Sequence, residues 1–111
     1  MRITLPYPPS ANRYWRTFRG RTVVSAEARE YKKQVGLICN VGGVEPVAGE
    51  VIFRADVYRP LKRGDLSNRI KVLEDALNEY AYEDDAQIVE LHYRLFDDKK
   101  NPRVEVEIEE R

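Results

Sequence analysis

The spacing of hydrophobic residues changes along this chain, and this change limits the folds that it can adopt. Apolar and polar residues alternate over Arg2–Tyr7 and again over Val51–Val57, which is typical of strands with one buried face. Pro8-Pro9 and Pro60 end these two segments. From Leu66 the apolar residues recur at intervals of three and four, which predicts a helix of about four turns. Its apolar positions are Leu66, Ile70, Leu73, Leu77 and Tyr80.

The remaining pattern predicts one further helix and two further strands. Apolar residues at helical spacing predict a helix over Ser25–Cys39, with Ser25 as its N-cap. Ile88–Phe96 and Arg103–Ile108 alternate as strands do, and we expect them to form an antiparallel hairpin. Residues 10–22 lack either period, so the sequence predicts an irregular segment there.

These elements predict a single α/β domain over residues 1–111, in the order β-α-β-α-β-β, with two helices packed on one four-stranded mixed sheet. No segment approaches the roughly 20 apolar residues that span a membrane, and we expect a cytoplasmic protein. Cys39 is the single cysteine, so the sequence excludes an internal disulfide and a Cys/His zinc site. Any metal ion is therefore expected to have oxygen ligands.

Charge is segregated along the chain, although 19 lysines and arginines balance 19 aspartates and glutamates overall. Residues 1–33 carry eight basic and two acidic side chains, whereas residues 64–111 carry seven basic and fourteen acidic ones. This predicts a positive face for an anionic partner beside a region rich in carboxylates. The alternative is a mixed charged surface that only keeps the domain in solution.

The segment Arg63–Lys71 lies where an extended chain enters the second predicted helix. Asp65 occupies the N-cap position, and capping of free backbone N–H groups is its ordinary structural use. Asn68 follows three residues later, so both side chains can converge at the start of the helix. Asp84 and Asp85 lie in the loop after that helix, and we expect this loop to bring them back near Asp65.

Carboxylates that converge from separate elements repel one another unless a cation lies between them. Mg²⁺ takes one or two carboxylates together with water and phosphate oxygens, and Mn²⁺ is a possible substitute. We therefore predict a metal site at Asp65, Asp84 and Asp85 that polarises a phosphodiester. Lys71, further along the helix, is predicted to neutralise the negative charge that develops during cleavage.

A second group of candidate residues lies between Asn12 and Arg21, where four arginines are interleaved with three aromatic residues. Guanidinium groups bind phosphates and flat rings stack on bases, so this composition favours a nucleic-acid-binding loop. The alternative is that Tyr14, Trp15 and Phe18 only anchor a long loop to the core. The predicted DNA-binding residues are Asn12, Arg13, Tyr14, Arg16, Arg19, Arg21, Arg63, Asn68 and Arg69, with Arg54, Arg59 and Lys62 as candidates to extend the same basic surface.

These motifs occur in an order that resembles the RusA family of Holliday-junction resolvases, which are bacterial and prophage endonucleases. The likeness runs along nearly the whole chain, which makes it more specific than any one of the short motifs. The matching segments of the N-terminal part are Ile3–Pro6, Pro8–Ser10, Asn12–Tyr14, Arg19–Thr22 and Ser25–Glu27. Those of the remaining chain are Arg63, Asp65-Leu66, Asn68, Lys71, Asp75–Leu77, Asp84–Gln87 and Val89.

The resemblance implies a homodimer that binds branched DNA and, with Mg²⁺, nicks two opposed strands of a four-way junction in recombination and repair. Two copies of one site, related by a two-fold axis, suit the symmetry of such a junction. The resemblance also implies essential carboxylates in an Asp-x-Asp-Asn motif and in a later Asp-Asp pair, supported by a lysine. By this mapping, the catalytic positions are Asp65, Ser67, Lys71 and Asp85.

Ser67 departs from the family pattern, because a neutral hydroxyl stands where the motif has its second carboxylate. Three outcomes are open: Ser67 binds the metal through water, Asp84 or Glu74 replaces the missing carboxylate, or the chain binds junctions with little or no cleavage. We favour an enzyme with an altered site, because the other positions of the motif are retained. The alternatives are a non-catalytic junction-binding dimer and a protein-interaction domain.

Overall fold

The computed structural model describes residues 1–10, 15–61 and 66–111, and within these ranges the side chains of Arg16, Phe18 and residues 66–68 are not described. It confirms two helices on a four-stranded mixed sheet. The strands are β1 (Arg2–Pro6), β2 (Trp15–Phe18), β3 (Arg21–Val24), β4 (Val51–Arg59), β5 (Ile88–Asp97) and β6 (Arg103–Glu110). The helices are α1 (Ala26–Val41), α2 (Leu66–Ala76) and a short 3₁₀ helix (Asp85–Gln87).

The strand order in the sheet is β1-β6-β4-β5, so the predicted hairpin between β5 and β6 is wrong. Instead, β5 runs parallel to β4, and β6 lies antiparallel between β1 and β4. Burial explains this order. Val104, Val106 and Ile108 of β6 are buried, as a central position requires, whereas Leu91 and Leu95 of β5 are 49% and 37% exposed at the edge.

Both helices cover one face of the sheet. Val51, Phe53, Ala55 and Val57 alternate toward this face from β4 and are buried under both helices, together with the helix residues Tyr31, Val35, Leu73 and Leu77. Cys39 is also buried in this core, as its place on the apolar side of α1 predicts. No helix formed by the described residues is long and apolar enough to cross a membrane.

Helix α1 begins as predicted, because the Ser25 hydroxyl accepts a hydrogen bond from the Ala28 N–H at 3.1 Å. Helix α2 is shorter than predicted. It ends at Ala76, and Glu79 has a positive φ of 76° that no continuing helix allows. Tyr80 therefore leaves the helical register and packs against Gly36 of α1, where an added Cβ would lie 2.5 Å from the tyrosine Cζ.

Strands β2 and β3 form a hairpin within the segment that the sequence predicts to be irregular. Arg19 and Gly20 make its two-residue turn with φ values of 51° and 76°, the combination required by a type I′ turn. The sequence signal for this hairpin is the glycine between two β-prone segments that contain Thr17 and Thr22. The many arginines of the segment hide the strand pattern, because they leave no regular alternation of apolar and polar residues.

Candidate metal and nucleic-acid site

The connection from β4 through α2 to β5 determines where the predicted acidic residues lie. Because β4 and β5 are parallel and pair from Val51 with Ile88 to Arg59 with Asp97, α2 carries the chain back from one end of the sheet to the other. The chain enters α2 at Leu66 after the carboxyl end of β4, and the 3₁₀ helix leads into the amino end of β5. The start of α2 and the 3₁₀ helix therefore lie at opposite ends of this unit.

The expectation that Asp84 and Asp85 return toward Asp65 stays a prediction. Their side chains lie beside the carboxyl end of α2, where Asp85 hydrogen-bonds with Asn78. Asp65 lies outside the described residues, and only the backbone of Ser67 and Asn68 is described. A parallel crossover separates the start of α2 from its carboxyl end by the length of the helix.

Asp85 lies in a partly buried position among other acidic groups. Burial raises the pKa of its carboxyl, and the neighbouring carboxylates of Asp84 and Asp75 raise this pKa further, while the hydrogen bond with Asn78 opposes them. A cation that binds beside a carboxylate held among like charges relieves their repulsion and stabilises the charged form. The electrostatics of Asp85 thus suit a metal ligand.

The Asp84 carboxylate accepts a hydrogen bond from the backbone. Its Oδ1 accepts a hydrogen bond from the Ala86 N–H at 2.9 Å and caps the 3₁₀ helix, and this bond lowers the pKa of the Asp84 carboxyl. Gln87 completes the loop: its Oε1 accepts from the Asp84 N–H, and its Nε2 donates to the carbonyls of Val47 and Gly49 at 2.7 and 2.8 Å. These bonds fix the position of Asp85 relative to the start of β4.

Glu74 supplies a second carboxylate near this end of α2. Burial raises the pKa of Glu74, the Tyr93 hydroxyl opposes this by donating a hydrogen bond at 3.0 Å, and the charge of Asp85 raises the pKa again. Lys71, exposed on the same helix, lowers it. The sequence analysis named Glu74 as a candidate to replace the missing motif carboxylate, but the strand pattern of β5 gave no signal for a role of Tyr93.

Asn78 is a further functional candidate that the sequence pattern did not reveal. Its Oδ1 is buried without a hydrogen-bond partner among the described residues. A buried acceptor of this kind, beside the Asp85 carboxylate, is the donor chemistry that a hard divalent cation prefers. The signal was its spacing, since Lys71, Asp75 and Asn78 recur at intervals of four and three in the segment that the sequence predicts to be helical, although α2 itself ends at Ala76.

The oxygen atoms at this end of the helix are of the type that Mg²⁺ prefers, but the described residues supply too few of them for a metal site. Residues 1–10, 15–61 and 66–111 contain no group of three acidic, histidine or cysteine side chains arranged to hold a metal ion. Asp85 and the Asn78 oxygen are two oxygen atoms of the kind that Mg²⁺ binds. The other predicted ligand, Asp65, lies outside the described residues.

The opposite end of α2 carries a cation and an aromatic ring. The Arg69 guanidinium lies 5.1 Å from the centroid of the Tyr7 ring, and the Arg69 Nε is buried without a hydrogen-bond partner among the described residues. Both residues line a groove of about 660 Å³ between the end of β1 and α1, which also contains Pro8, Pro9, Ser10, Glu27, Glu30, Tyr31 and Gln34. A guanidinium beside an aromatic ring in an open groove suits a phosphate and a base.

The β2–β3 hairpin has features of both interpretations of the basic, aromatic segment. Trp15 packs against the core, as the anchoring alternative predicts, and Val24 of the paired strand packs there as well. Arg19 and Arg21 are exposed at the turn, where they can reach a phosphate backbone. Three further predicted DNA-binding residues of this segment, Asn12, Arg13 and Tyr14, lie outside the described residues, as do Lys62 and Arg63.

Arg54 and Arg59, the candidates to extend this basic surface, form ion pairs with neighbouring strands. Arg54 lies on the face of the sheet away from the helices and pairs with Glu109 at 2.8 Å, and Arg59 pairs with Asp97. Their part in DNA binding stays a prediction.

Comparison with known proteins identifies the family. The model of the family described as Endodeoxyribonuclease RusA matches residues 6–109. The chain belongs to the RusA family. Crossover junction endodeoxyribonuclease RusA of Escherichia coli K12 is 40% identical over 111 residues, which cover 97% of this chain and 92% of the relative. The RusA relatives of Enterobacteria phage 82 and Shigella sonnei are 38% and 39% identical over the same shares of each chain.

Proposed function

We propose that this chain is a crossover junction endodeoxyribonuclease that binds four-way DNA junctions and hydrolyses one phosphodiester in each of two opposed strands. The observation that carries this proposal is the 40% identity to enzymes of that name across 97% of the chain. The exposed arginines of the hairpin turn and the partly buried, charge-rich position of Asp85 agree with a nuclease. The proposed setting is recombination and repair in the bacterial cytoplasm, including prophages, and the phage 82 relative accords with the latter.

DNA binding is assigned to the hairpin and to the start of α2. Arg19 and Arg21 bind phosphates, and Arg69 with Tyr7 holds a phosphate and an adjoining sugar or base in the groove. Phosphate contacts position a duplex without reading its sequence. This suits a protein that recognises the branched shape of its substrate, and Asn12, Arg13, Tyr14, Arg16, Arg63 and Asn68 are proposed to complete the same surface.

The reaction is assigned to Asp65, Asp85 and Lys71. Asp65 and Asp85 would hold the divalent cation, which would polarise the phosphate and lower the pKa of a bound water. Asp84 keeps Asp85 in place through the capped loop, and Asn78 offers an additional oxygen. Lys71 neutralises charge on the phosphate as the bond to the leaving oxygen breaks. The proposed active form is a homodimer with two such sites, so that both strands are nicked.

Ser67 motivates a second candidate function, a dimer that binds junctions and cuts them slowly or not at all. The hydroxyl provides no negative charge where the family motif has a carboxylate. Glu74 is proposed to compensate in part, because it lies within electrostatic reach of Asp85. The enzyme remains the favoured function, since the other motif positions are present.

Cleavage of a synthetic four-way junction by the purified chain and by Ser67→Asp, each with Mg²⁺ and with Mn²⁺, tests these alternatives. The proposal expects nicking by the unaltered chain, an increase with Ser67→Asp, and loss with Asp65→Asn and Asp85→Asn. Tight, salt-sensitive binding without product, and without gain from Ser67→Asp, would establish the binding protein instead. Equal affinity for linear and branched DNA would contradict both.

A further inference from the structure

We propose that the outer side of α1 is a second DNA-binding surface, on which the sugar-phosphate backbone of one junction arm lies beside the loop that carries Asp85. This inference rests on the proposed function and specifies the path of its substrate. The surface is a groove of about 480 Å³ between α1 and the segment after α2, here called the α1 groove. Its lining includes Arg29, Lys32, Lys33, Gly36, Leu37 and Tyr80.

The charged residues of α1 are sorted between two sides of the helix. Because successive residues are about 100° apart, Arg29, Lys32 and Lys33 fall within one sector of about 100°. Glu27 and Glu30 instead line the groove of about 660 Å³ on the other side of α1. Among the described residues, the α1 groove therefore has three cations and no carboxylate in its lining.

These three cations are available to an external anion. No carboxylate of the described residues forms an ion pair with any of them. The Lys32 Nζ donates a hydrogen bond to the Asp75 carbonyl at 3.3 Å, which holds its charge against α2. By contrast, each cation of the opposite sheet face that Arg2, Arg54 and Arg94 represent pairs with a carboxylate of a neighbouring strand. Like charges within one helical turn repel one another, and a polyanion that binds them relieves this repulsion.

The floor of the α1 groove is apolar between these cations. Leu37 is 64% exposed there, and Gly36 lets the Tyr80 ring approach the helix closely. An apolar floor with a cationic rim suits a DNA backbone, because the deoxyribose carbons meet the floor and the phosphates meet the rim. Contacts of this type position a duplex without reading its sequence, which suits a substrate recognised by its branched shape.

The α1 groove also lies at the same end of α2 as the proposed metal ligand. Tyr80 follows Asn78 by two residues, and Asn78 hydrogen-bonds with Asp85. Asp75, whose carbonyl binds Lys32, lies within electrostatic reach of the Asp85 carboxylate. A backbone that follows α1 therefore passes the end of α2 where Asp85 is held. This position favours a substrate strand over an unrelated acidic partner.

A double substitution at the two exposed cations tests the α1 groove. Arg29→Ser/Lys33→Ser should weaken binding to a four-way junction and reduce the slope of log affinity against log salt by about two, because two phosphates are no longer neutralised. Lys99→Ser/Lys100→Ser is the matched control, since it removes two exposed cations outside the groove. Fluorescence anisotropy over a salt series measures the slope, and thermal unfolding checks that both variants are folded.

The outcomes separate this inference from the proposed function. An unchanged salt slope for Arg29→Ser/Lys33→Ser overturns the α1 groove as a DNA site and leaves the proposed function intact. An equal reduction by both double variants also overturns it, because net charge alone then sets the affinity. If the unaltered chain binds no four-way junction, the proposed function fails as well.

A radical source in the groove tests the path of the DNA without removing a charge. Leu37→Cys is modified with iron-EDTA through its thiol, and the native Cys39 is buried, so the reagent reaches the introduced thiol. Hydroxyl radicals should cut the backbone of an arm close to the branch point. Thr4→Cys, exposed on the sheet face away from the helices, is the control and should give no such cut.

Cuts of equal strength from both positions, or no cut from Leu37→Cys, contradict the proposed path. Protection of Leu37→Cys from thiol modification by poly-glutamate and not by junction DNA would assign the groove to an acidic polypeptide instead, and would also overturn the inference.

Discussion

The two ends of α2 differ in how firmly the structure holds their functional groups. At the carboxyl end, the cap of Asp84, the four hydrogen bonds of Gln87 and the packing of Tyr80 on Gly36 fix the loop that carries Asp85. At the other end, Arg69 contacts Tyr7 at the side of an open groove. We propose that the fixed end presents the ligand Asp85 and that the open end admits substrate, because a catalytic ligand needs preorganisation and a branched DNA needs access.

The largest expected effect is at Asp85. Asp85→Asn should lower the rate of junction nicking more than 100-fold, beyond the roughly 10–100-fold that follows loss of a residue that only supports a metal ligand. Its thermal unfolding temperature without metal should rise, since a raised pKa in the folded state means that the charged carboxylate opposes folding above that pKa. Gel-based cleavage assays and calorimetry measure the two quantities.

Asp84→Asn is the matched control for this prediction. The pKa of Asp84 is lowered in the folded state, so its charge stabilises the fold above the unfolded-state pKa and this stability is lost as the pH falls. The unfolding temperature of Asp84→Asn at neutral pH should therefore fall. If the two variants shift it in the same direction, the environments assigned to this pair are incorrect.

Gly36→Ala should break the packing that holds the fixed end. A Cβ at this position lies 2.5 Å from Cζ and 2.7 Å from the hydroxyl oxygen of Tyr80, so the ring must move. Overpacking of this kind costs about 1–3 kcal/mol, and the higher helix propensity of alanine inside α1 offsets up to about 1 kcal/mol of that cost. Urea denaturation measures the net change in unfolding free energy. In the Tyr80→Ala background the clash is absent, so Gly36→Ala should be more favourable there than in the unaltered chain, and an equal effect in both backgrounds would contradict the close approach.

The hairpin tests the open, substrate-binding side of the comparison. Arg19→Ser/Arg21→Ser should weaken binding to linear and branched DNA alike, and should reduce the slope of log affinity against log salt by about one for each phosphate that is no longer neutralised. Fluorescence anisotropy over a salt series measures this slope. Lys99→Ser/Lys100→Ser removes two exposed cations from the β5–β6 connection and is the control. Equal effects of both double variants would indicate that only net charge matters.

Sequence patterns predicted the two helices and the four strands of the main sheet, because period and capping are local properties. They did not predict which strands pair. The order β1-β6-β4-β5 depends on the burial of Val104 and Val106 against the exposure of Leu91 and Leu95, which only the assembled core decides. The separation of Leu66 from Asp85 follows from that order, so local patterns could name Asp85 as a candidate but could not place it.

The smallest expected effect concerns the half-buried carboxylate of Glu74. Its pKa is raised, chiefly by burial, so the charged form opposes folding, and Glu74→Gln should be more stable than the unaltered chain at neutral pH. As the pH falls through the raised pKa, Glu74 becomes protonated and the difference in unfolding free energy should shrink. Urea denaturation between pH 8 and pH 4 measures this difference. Tyr93→Phe removes the hydrogen bond that lowers the pKa and should move the same change to higher pH, whereas a difference that does not vary with pH would show that Glu74 is not held in this environment.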